Sequence, residues 1–246
     1  MEKFVEVLPN KSALVQRALT LVQETIQTAI QQKGRCTIAL AGGNTPKPLY
    51  EAMAETDLPW PKLHVFWGDE RYVPADHPDS NQRMARLAWL DRIAIPPGNI
   101  HPMPTNAASA EEDAALYNSE LQKFFGCQTG EFPQFDIILL GLGDDGHTAS
   151  LFPHTEALQV CDRLVTVGNK DGQPRLTFTV PLINGASRTI FLVAGDKKQS
   201  ALSKILAPFP ETSQAKQELH QTYPASLIQP SGELWWLLDE AANPKS

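Results

Sequence analysis

The stretch FDIILLGLGDDGHTASL, residues 135–151, decides the fold class. It begins with a short apolar run, which is typical of a strand buried on both faces of a parallel sheet. Three glycines within six residues follow, and glycine allows backbone conformations that a Cβ atom disfavours. Two acids and a histidine come next, where we expect a helix to begin. Because functional loops of α/β sheets lie at the carboxyl ends of the strands, the same stretch is a candidate site.

Similar apolar runs alternate with amphipathic segments along the rest of the chain. Further strands are expected at CTIALA (36–41), KLHVFWG (62–68), RLVTVG (163–168) and RTIFLVAG (188–195), and GELWWLLDEAA (232–242) favours a strand over a short helix. Helix-like segments are expected at 12–32, 47–55, 81–92, 111–125 and 197–206. This alternation predicts an α/β fold with a mostly parallel sheet and helices on both faces.

Length and composition favour a single domain, residues 1–246. The 20 prolines are spread along the chain, so no proline-rich linker divides it. The first 15 residues have no long apolar core or small-residue cleavage site, and the longest apolar stretches are too short to span a bilayer. We therefore expect a cytoplasmic protein without a membrane segment. The three cysteines form no CxxC pattern, and Cys36 is expected to be a buried free thiol.

The chain is acidic, with a formal net charge of −7 and a pI of about 5.4. This charge argues against a nucleic-acid partner, because binding a phosphate backbone requires a basic face. It also means that an anionic substrate needs a local cluster of positive charge.

The segment AGGNTPKP, residues 41–48, follows the first expected strand. Thr45 suits an N-cap and Pro46 a first helical position, while Gly42 and Gly43 allow a tight turn close to a ligand. The free N–H groups of such a helix start favour an anion. A plain strand-to-helix turn explains the segment equally well. It is neither a P-loop nor GxGxxG, so we expect no nucleotide cofactor.

His147 is the best candidate for a general base, because imidazole exchanges protons near physiological pH. Asp145 could orient this ring or could cap a helix. A metal site formed by Asp144, Asp145, His147 and His154 is the alternative. Their spacing matches no common zinc pattern, so we expect no metal.

Three cations follow expected strands. Arg71 could stabilise an oxyanion, although a structural pair with Asp69 or Glu70 is the alternative. Arg175 and Lys198 could neutralise a phosphate, although lysines at helix starts are commonly just solvated.

Six segments, in order along the chain, resemble 6-phosphogluconolactonases and, more distantly, glucosamine-6-phosphate isomerases and deaminases. They are AGGNTP (41–46), FWGDERYVPADHPDSN (66–81), FDIILLGLGDDGHTASLFP (135–153), PRLTFTVPLIN (174–184), FLVAGDKKQSAL (191–202) and PASLIQP (224–230). The resemblance implies a Rossmann-like α/β fold. It implies hydrolysis of 6-phospho-D-glucono-1,5-lactone, a small sugar phosphate lactone, to 6-phosphogluconate in the oxidative pentose phosphate pathway.

The resemblance also implies roles for single residues. His147 corresponds to the base, Arg71 to the charge-stabilising arginine and Lys198 to the phosphate lysine, in preference to Lys197. Arg175 lies at the edge of the site, and the phosphate-contacting turn consists of Gly43, Asn44 and Thr45.

The sequence departs from the deaminase branch at two places. The acidic loop reads DER where deaminases typically have DEY, and HTASLFP replaces a run with asparagine, glutamate and proline. A sugar-phosphate isomerase or deaminase and a catalytically silent sugar-phosphate sensor are the rival functions. Whether the protein is a monomer or a dimer is left open.

Overall fold

The computed structural model describes residues 2–244. Its strands are β1 (Glu2–Leu8), β2 (Cys36–Leu40), β3 (Leu63–Trp67), β4 (Asp69–Arg71), β5 (Ile100–His101), β6 (Ile137–Leu140), β7 (Val165–Lys170), β8 (Gln173–Phe178), β9 (Arg188–Val193) and β10 (Glu233–Asp239). Its α-helices are α1 (Lys11–Lys33), α2 (Lys47–Ala54), α3 (Asn81–Ala88), α4 (Ala110–Phe125), α5 (Val180–Asn184), α6 (Gln199–Ile205) and α7 (Ser213–Thr222). Short 3-10 turns connect several of them.

Seven strands form one parallel sheet in the order β1-β10-β9-β6-β2-β3-β5. Every residue of the central strands β2 and β6 is buried, as expected for strands that are covered on both faces. The predicted α/β fold with a mostly parallel sheet and helices is thus confirmed. The strand expected at the end of the chain is also present, as β10.

The core fills the space between this sheet and the helices. The longest helix, α1, begins at an Asn10 cap whose side chain accepts from the Ala13 amide, and it ends at Gly34, where φ is 77°. Cys36 is a fully buried free thiol, as predicted, and burial raises its pKa. Between residues 2 and 244, none of the helices combines the length and apolarity that crossing a membrane requires.

The strand predicted at 163–168 is present, but the expectation that it joins the main sheet is wrong. It forms β7, which pairs antiparallel with β8, and β8 pairs antiparallel with β4. The reason is a tight turn at Asp171 and Gly172, where φ is 53° and 83°. An Asp-Gly pair between two strand-forming runs is a hairpin signal, and it returns the chain directly to a neighbouring strand.

Several other boundaries differ from the prediction. The strands β1, β4, β5 and β8 and the helices α5 and α7 were not predicted. The segment at 81–92 divides into α3 and a 3-10 turn, Leu90–Arg92, and the segment at 197–206 starts with a 3-10 turn, Asp196–Lys198. Two-residue and three-residue strands such as β5 and β4 are too short to show a periodic pattern.

Candidate active site

A cleft of about 220 Å³ lies beyond the carboxyl ends of β2, β3 and β6. It is lined by Ala41, Gly42, Gly43, Asn44, Thr45, Pro46, Asp69, Arg71, Gly141, Leu142, Gly143, His147, Ala149, Arg175 and Lys198. Eight of the nine residues predicted for the site are among them. The ninth, Asp145, contacts His147 from outside this lining.

The loop after β6 holds the imidazole of His147 against its own backbone. A Cβ atom on Gly143 would lie 2.0 Å from His147 Nδ1, so only glycine leaves room for the ring in this position. The Gly143 amide donates to the His147 carbonyl at 2.8 Å, and the Thr148 hydroxyl donates to the Gly141 carbonyl at 2.9 Å. The helix expected after His147 is wrong, because these bonds fold the loop back on itself.

Asp145 orients the imidazole directly. Its Oδ1 atom lies 2.6 Å from His147 Nδ1 and also accepts from the His147 amide at 3.1 Å. Partial burial raises the pKa of Asp145, but the hydrogen bonds from His147 outweigh this effect and lower the pKa to about 2. Because a carboxylate can only accept, Nδ1 carries the proton of a neutral ring and Nε2 keeps its lone pair.

The turn after β2 brings backbone close to the cleft. Gly43 has φ 92°, and a Cβ atom on Gly42 would lie 1.9 Å from the Asn81 side-chain oxygen. The Tyr50 hydroxyl fixes the start of the turn by donating to the Ala41 carbonyl at 2.7 Å. The predicted Thr45 cap is wrong: α2 begins at Lys47, after an N-cap Pro46 that makes no side-chain capping bond.

Arg71 and Arg175 face each other across the β4–β8 pairing. Burial, and after it the charge of Arg71, lowers the pKa of Arg175. Arg71 Nη1 donates to the Asp79 carbonyl at 2.7 Å, and the Nε atoms of both arginines are buried without a partner. Within residues 2–244 neither guanidinium forms an ion pair within 4 Å, so the alternative of a structural Arg71–carboxylate pair is not observed.

Lys198 follows β9 in the 3-10 turn and reaches the cleft. Its ammonium group lies 2.6 Å from Asp144 Oδ1, so an acid of the histidine loop holds it in place. The neighbouring Lys197 is exposed and is not part of the lining. The structure therefore places Lys198, and not Lys197, at the cleft.

The four residues considered as metal ligands do not face one another as a group. Asp144 lies 2.6 Å from Lys198 and Asp145 lies 2.6 Å from His147, while His154 is exposed. In the part of the chain that the structure describes, no three His, Cys, Asp or Glu side chains are grouped so that they could share a metal ion.

The sequence indicated Glu70 only as a possible ion-pair partner of the Arg71 side chain, whereas in the structure it anchors the Arg71 backbone. Glu70 is 2% exposed and accepts from the backbone amides of Arg71, Asn81 and Gln82 at 2.7–2.9 Å and from the Ser80 hydroxyl at 3.2 Å. Burial raises the pKa of Glu70 to about 7, while the three amides limit this rise. The contacts join β4 to the start of α3, eleven residues further along the chain.

Known proteins match this chain over nearly its full length. A family model described as glucosamine-6-phosphate isomerases/6-phosphogluconolactonase matches residues 9–236. A protein named 6-phosphogluconolactonase from Synechocystis is 65% identical over 239 residues, which cover 97% of this chain and 96% of that relative. A protein of the same name from Nostoc is 60% identical over 243 residues, covering 99% of this chain and 98% of that relative.

The chain belongs to the glucosamine-6-phosphate isomerase/6-phosphogluconolactonase family. Among solved structures of the family, the crystal structure of 6-phosphogluconolactonase from Thermotoga maritima matches with a TM-score of 0.83 and 29% identity, over 97% of this chain and all of that one. A monomeric glucosamine-6-phosphate deaminase matches with a TM-score of 0.78 and 21% identity, a likeness that shows the fold alone. The family, fold and enzyme class predicted from the motifs are confirmed.

Proposed function

We propose that this chain hydrolyses 6-phospho-D-glucono-1,5-lactone to 6-phosphogluconate, as its relatives' names indicate. The observation that carries the proposal is the cleft shared by the His147 ring and the turn at residues 42–45. This cleft has the proposed base at one side and a group of cations and backbone N–H donors at the other. A neutral lactone ring with a phosphate at its far end requires this combination.

The phosphate docks on the turn of Gly43, Asn44 and Thr45, where Lys198 and Arg175 balance its charge. The lactone carbonyl then lies towards the histidine loop. Charged hydrogen bonds hold the far end of the substrate, so the carbonyl is presented at a fixed distance from the base.

His147 Nε2 removes a proton from water as the water oxygen attacks C1. Arg71 stabilises the negative carbonyl oxygen of the tetrahedral intermediate, and Asp145 stabilises the imidazolium. When the intermediate collapses, the bond between C1 and the ring oxygen breaks and His147 returns its proton to that oxygen. One water is consumed, and the product has a free hydroxyl and a new carboxylic acid, which releases its proton to solvent and becomes a carboxylate.

A coupled assay tests the proposal. Glucose-6-phosphate dehydrogenase generates the lactone, and its disappearance is followed with and without this protein. We expect disappearance well above the spontaneous rate; a rate equal to the spontaneous one contradicts the proposal. Incubation with glucosamine 6-phosphate tests the deaminase alternative, for which ammonia release is the positive result. Binding of 6-phosphogluconate without turnover of the lactone would instead indicate a silent sensor.

A further inference from the structure

One carboxylate faces the cleft among its cations. Side chains alternate along a strand, so the three residues of β4 divide between two sides. Glu70 points back to α3, whereas Asp69 and Arg71 both line the cleft. Asp69 is only 7% exposed, so its carboxylate is shielded from bulk water.

The Asp69 carboxylate is held rigidly but is not saturated with donors. Ser150 Oγ donates to Oδ2 at 2.8 Å, and Asn81 Nδ2 approaches Oδ1 at 3.5 Å, the longest distance that counts as a bond. No lysine, arginine or histidine of residues 2–244 lies within 4 Å of it. Since a carboxylate has about four acceptor positions, Oδ1 can accept a further hydrogen bond. A nearly buried carboxylate oxygen such as Oδ1, whose donor lies at 3.5 Å, favours a ligand that supplies a closer one.

The chemistry of the cleft limits what that donor can be. Asp69 repels the phosphate, which therefore lies with Lys198 and Arg175 instead. The lactone carbonyl and ring oxygens are acceptors and cannot donate. The remaining donors on the substrate are the ring hydroxyls. Among them the C2 hydroxyl is next to the carbonyl carbon, whose oxygen Arg71 would stabilise, and Arg71 lies on the same side of β4 as Asp69.

We propose that Asp69 accepts a hydrogen bond from the C2 hydroxyl of the lactone and so selects hydroxylated sugar lactones over deoxy analogues. This inference rests on the proposed lactonase function. It makes Asp69 a residue that contacts the substrate, whereas Ser150 and Asn81 position its carboxylate.

The test compares two substrates and two proteins. Glucose-6-phosphate dehydrogenase converts glucose 6-phosphate and 2-deoxyglucose 6-phosphate to the corresponding lactones in the assay, and the spontaneous rate of each is subtracted. For Asp69→Asn we expect kcat/KM to fall about 10- to 100-fold with the hydroxylated lactone, the range for a hydrogen bond to a charged group. With the 2-deoxy lactone the fall is less than about threefold, because the bond is already missing. Equal losses with both lactones overturn the proposal.

Two controls keep the test decisive. The affinity of Asp69→Asn for inorganic phosphate should be at least that of the wild type, because one negative charge has left the cleft, and a lower affinity would show that the turn at 42–45 is disturbed. If the variant does not fold, the wild type alone decides: we expect it to prefer the hydroxylated lactone at least about tenfold, and a preference below about threefold overturns the proposal. A wild type that accelerates neither lactone refutes the proposed lactonase function itself, which is a different outcome.

Discussion

The His147 ring contacts Asp145 through Nδ1 and lines the cleft, so its removal should affect chemistry rather than phosphate binding. For His147→Ala we expect kcat to fall about 10²- to 10⁴-fold, the usual contribution of a general base. The coupled assay measures this loss, and titration with inorganic phosphate should give wild-type affinity. His154→Asn is the matched control, because His154 is exposed and outside the cleft. Wild-type turnover of His147→Ala would remove the base assignment.

Gly143 tests the same assignment through sterics alone. Its Cβ position lies 2.0 Å from His147 Nδ1 and 2.5 Å from Asp145 Oδ1, so Gly143→Ala must displace the pair. We expect kcat to fall at least about tenfold with unchanged phosphate affinity, since small misplacements of a reacting group are costly. Gly98→Ala is the control, because no atom lies within 4 Å of its Cβ position and it lies outside the cleft. Equal activity of the two variants would show that the ring position is unimportant.

Lys198 and Lys197 are adjacent, but only Lys198 lines the cleft. For Lys198→Gln we expect KM to rise about 10- to 100-fold with little change in kcat, because the phosphate loses a charged hydrogen bond. The exposed Lys197→Gln should keep the wild-type KM. Steady-state kinetics in the coupled assay measures both. An unchanged KM in Lys198→Gln would discard its phosphate role.

At the scale of elements, the sequence predicts the strands and helices that have a strong hydrophobic pattern of their own. It does not predict the strands that form only because a distant segment pairs with them. β2, β6 and β9 are apolar runs and were found directly. The short strand β4 exists because β8, more than a hundred residues away, pairs with it, and no local pattern records that pairing. The contact between Asp69 and Ser150 has no local signal for the same reason, since the two residues are 81 positions apart.

The β7–β8 hairpin positions Arg175 opposite Arg71, so its turn should influence both stability and substrate binding. Gly172 has φ 83°, and an L side chain costs roughly 1–2 kcal/mol in this region. For Gly172→Ala we expect the thermal midpoint to fall by a few degrees, about 2–4 °C per kcal/mol for a chain of this size. Gly98→Ala is the control, because its Cβ position is open and its φ is ordinary. Scanning calorimetry measures both, and equal midpoints would contradict the strain.

At the scale of the whole molecule, the net charge of −7 and the cationic cleft are compatible. Arg71 comes from β4, Arg175 from β8 and Lys198 from the turn after β9, and the three converge on one small volume. The sum over the chain is acidic, but the field inside a shielded cleft is set by its nearest charges. Composition could predict that such a cluster was needed, and only the fold could bring it together.

Two titratable groups, the partly buried His64 on β3 and the buried Glu70 on β4, should give the stability of the molecule opposing responses to pH. Burial, followed by the charges of His101 and Arg35, lowers the pKa of His64 to about 4 from 6.5, so the unfolded chain binds more protons between these values. Its contribution is complete above pH 6.5 and is lost as the pH falls to 4. After a discount for partial exposure, this loss is on the order of 1 kcal/mol.

Glu70 acts in the other direction. Its folded pKa of about 7 lies above the ordinary value of 4.5, so the folded protein binds more protons in that window. Its contribution is complete below pH 4.5 and is lost as the pH rises to 7. Between pH 4.5 and 6.5, His64→Gln should make the slope of the unfolding free energy against pH more negative than in the wild type, because the positive contribution of His64 is lost. Glu70→Gln should make the same slope more positive, because the negative contribution of Glu70 is lost. Urea denaturation at several pH values measures the slopes. Slopes that change in the same direction in both variants would contradict this account, because the two groups bind their protons in opposite states.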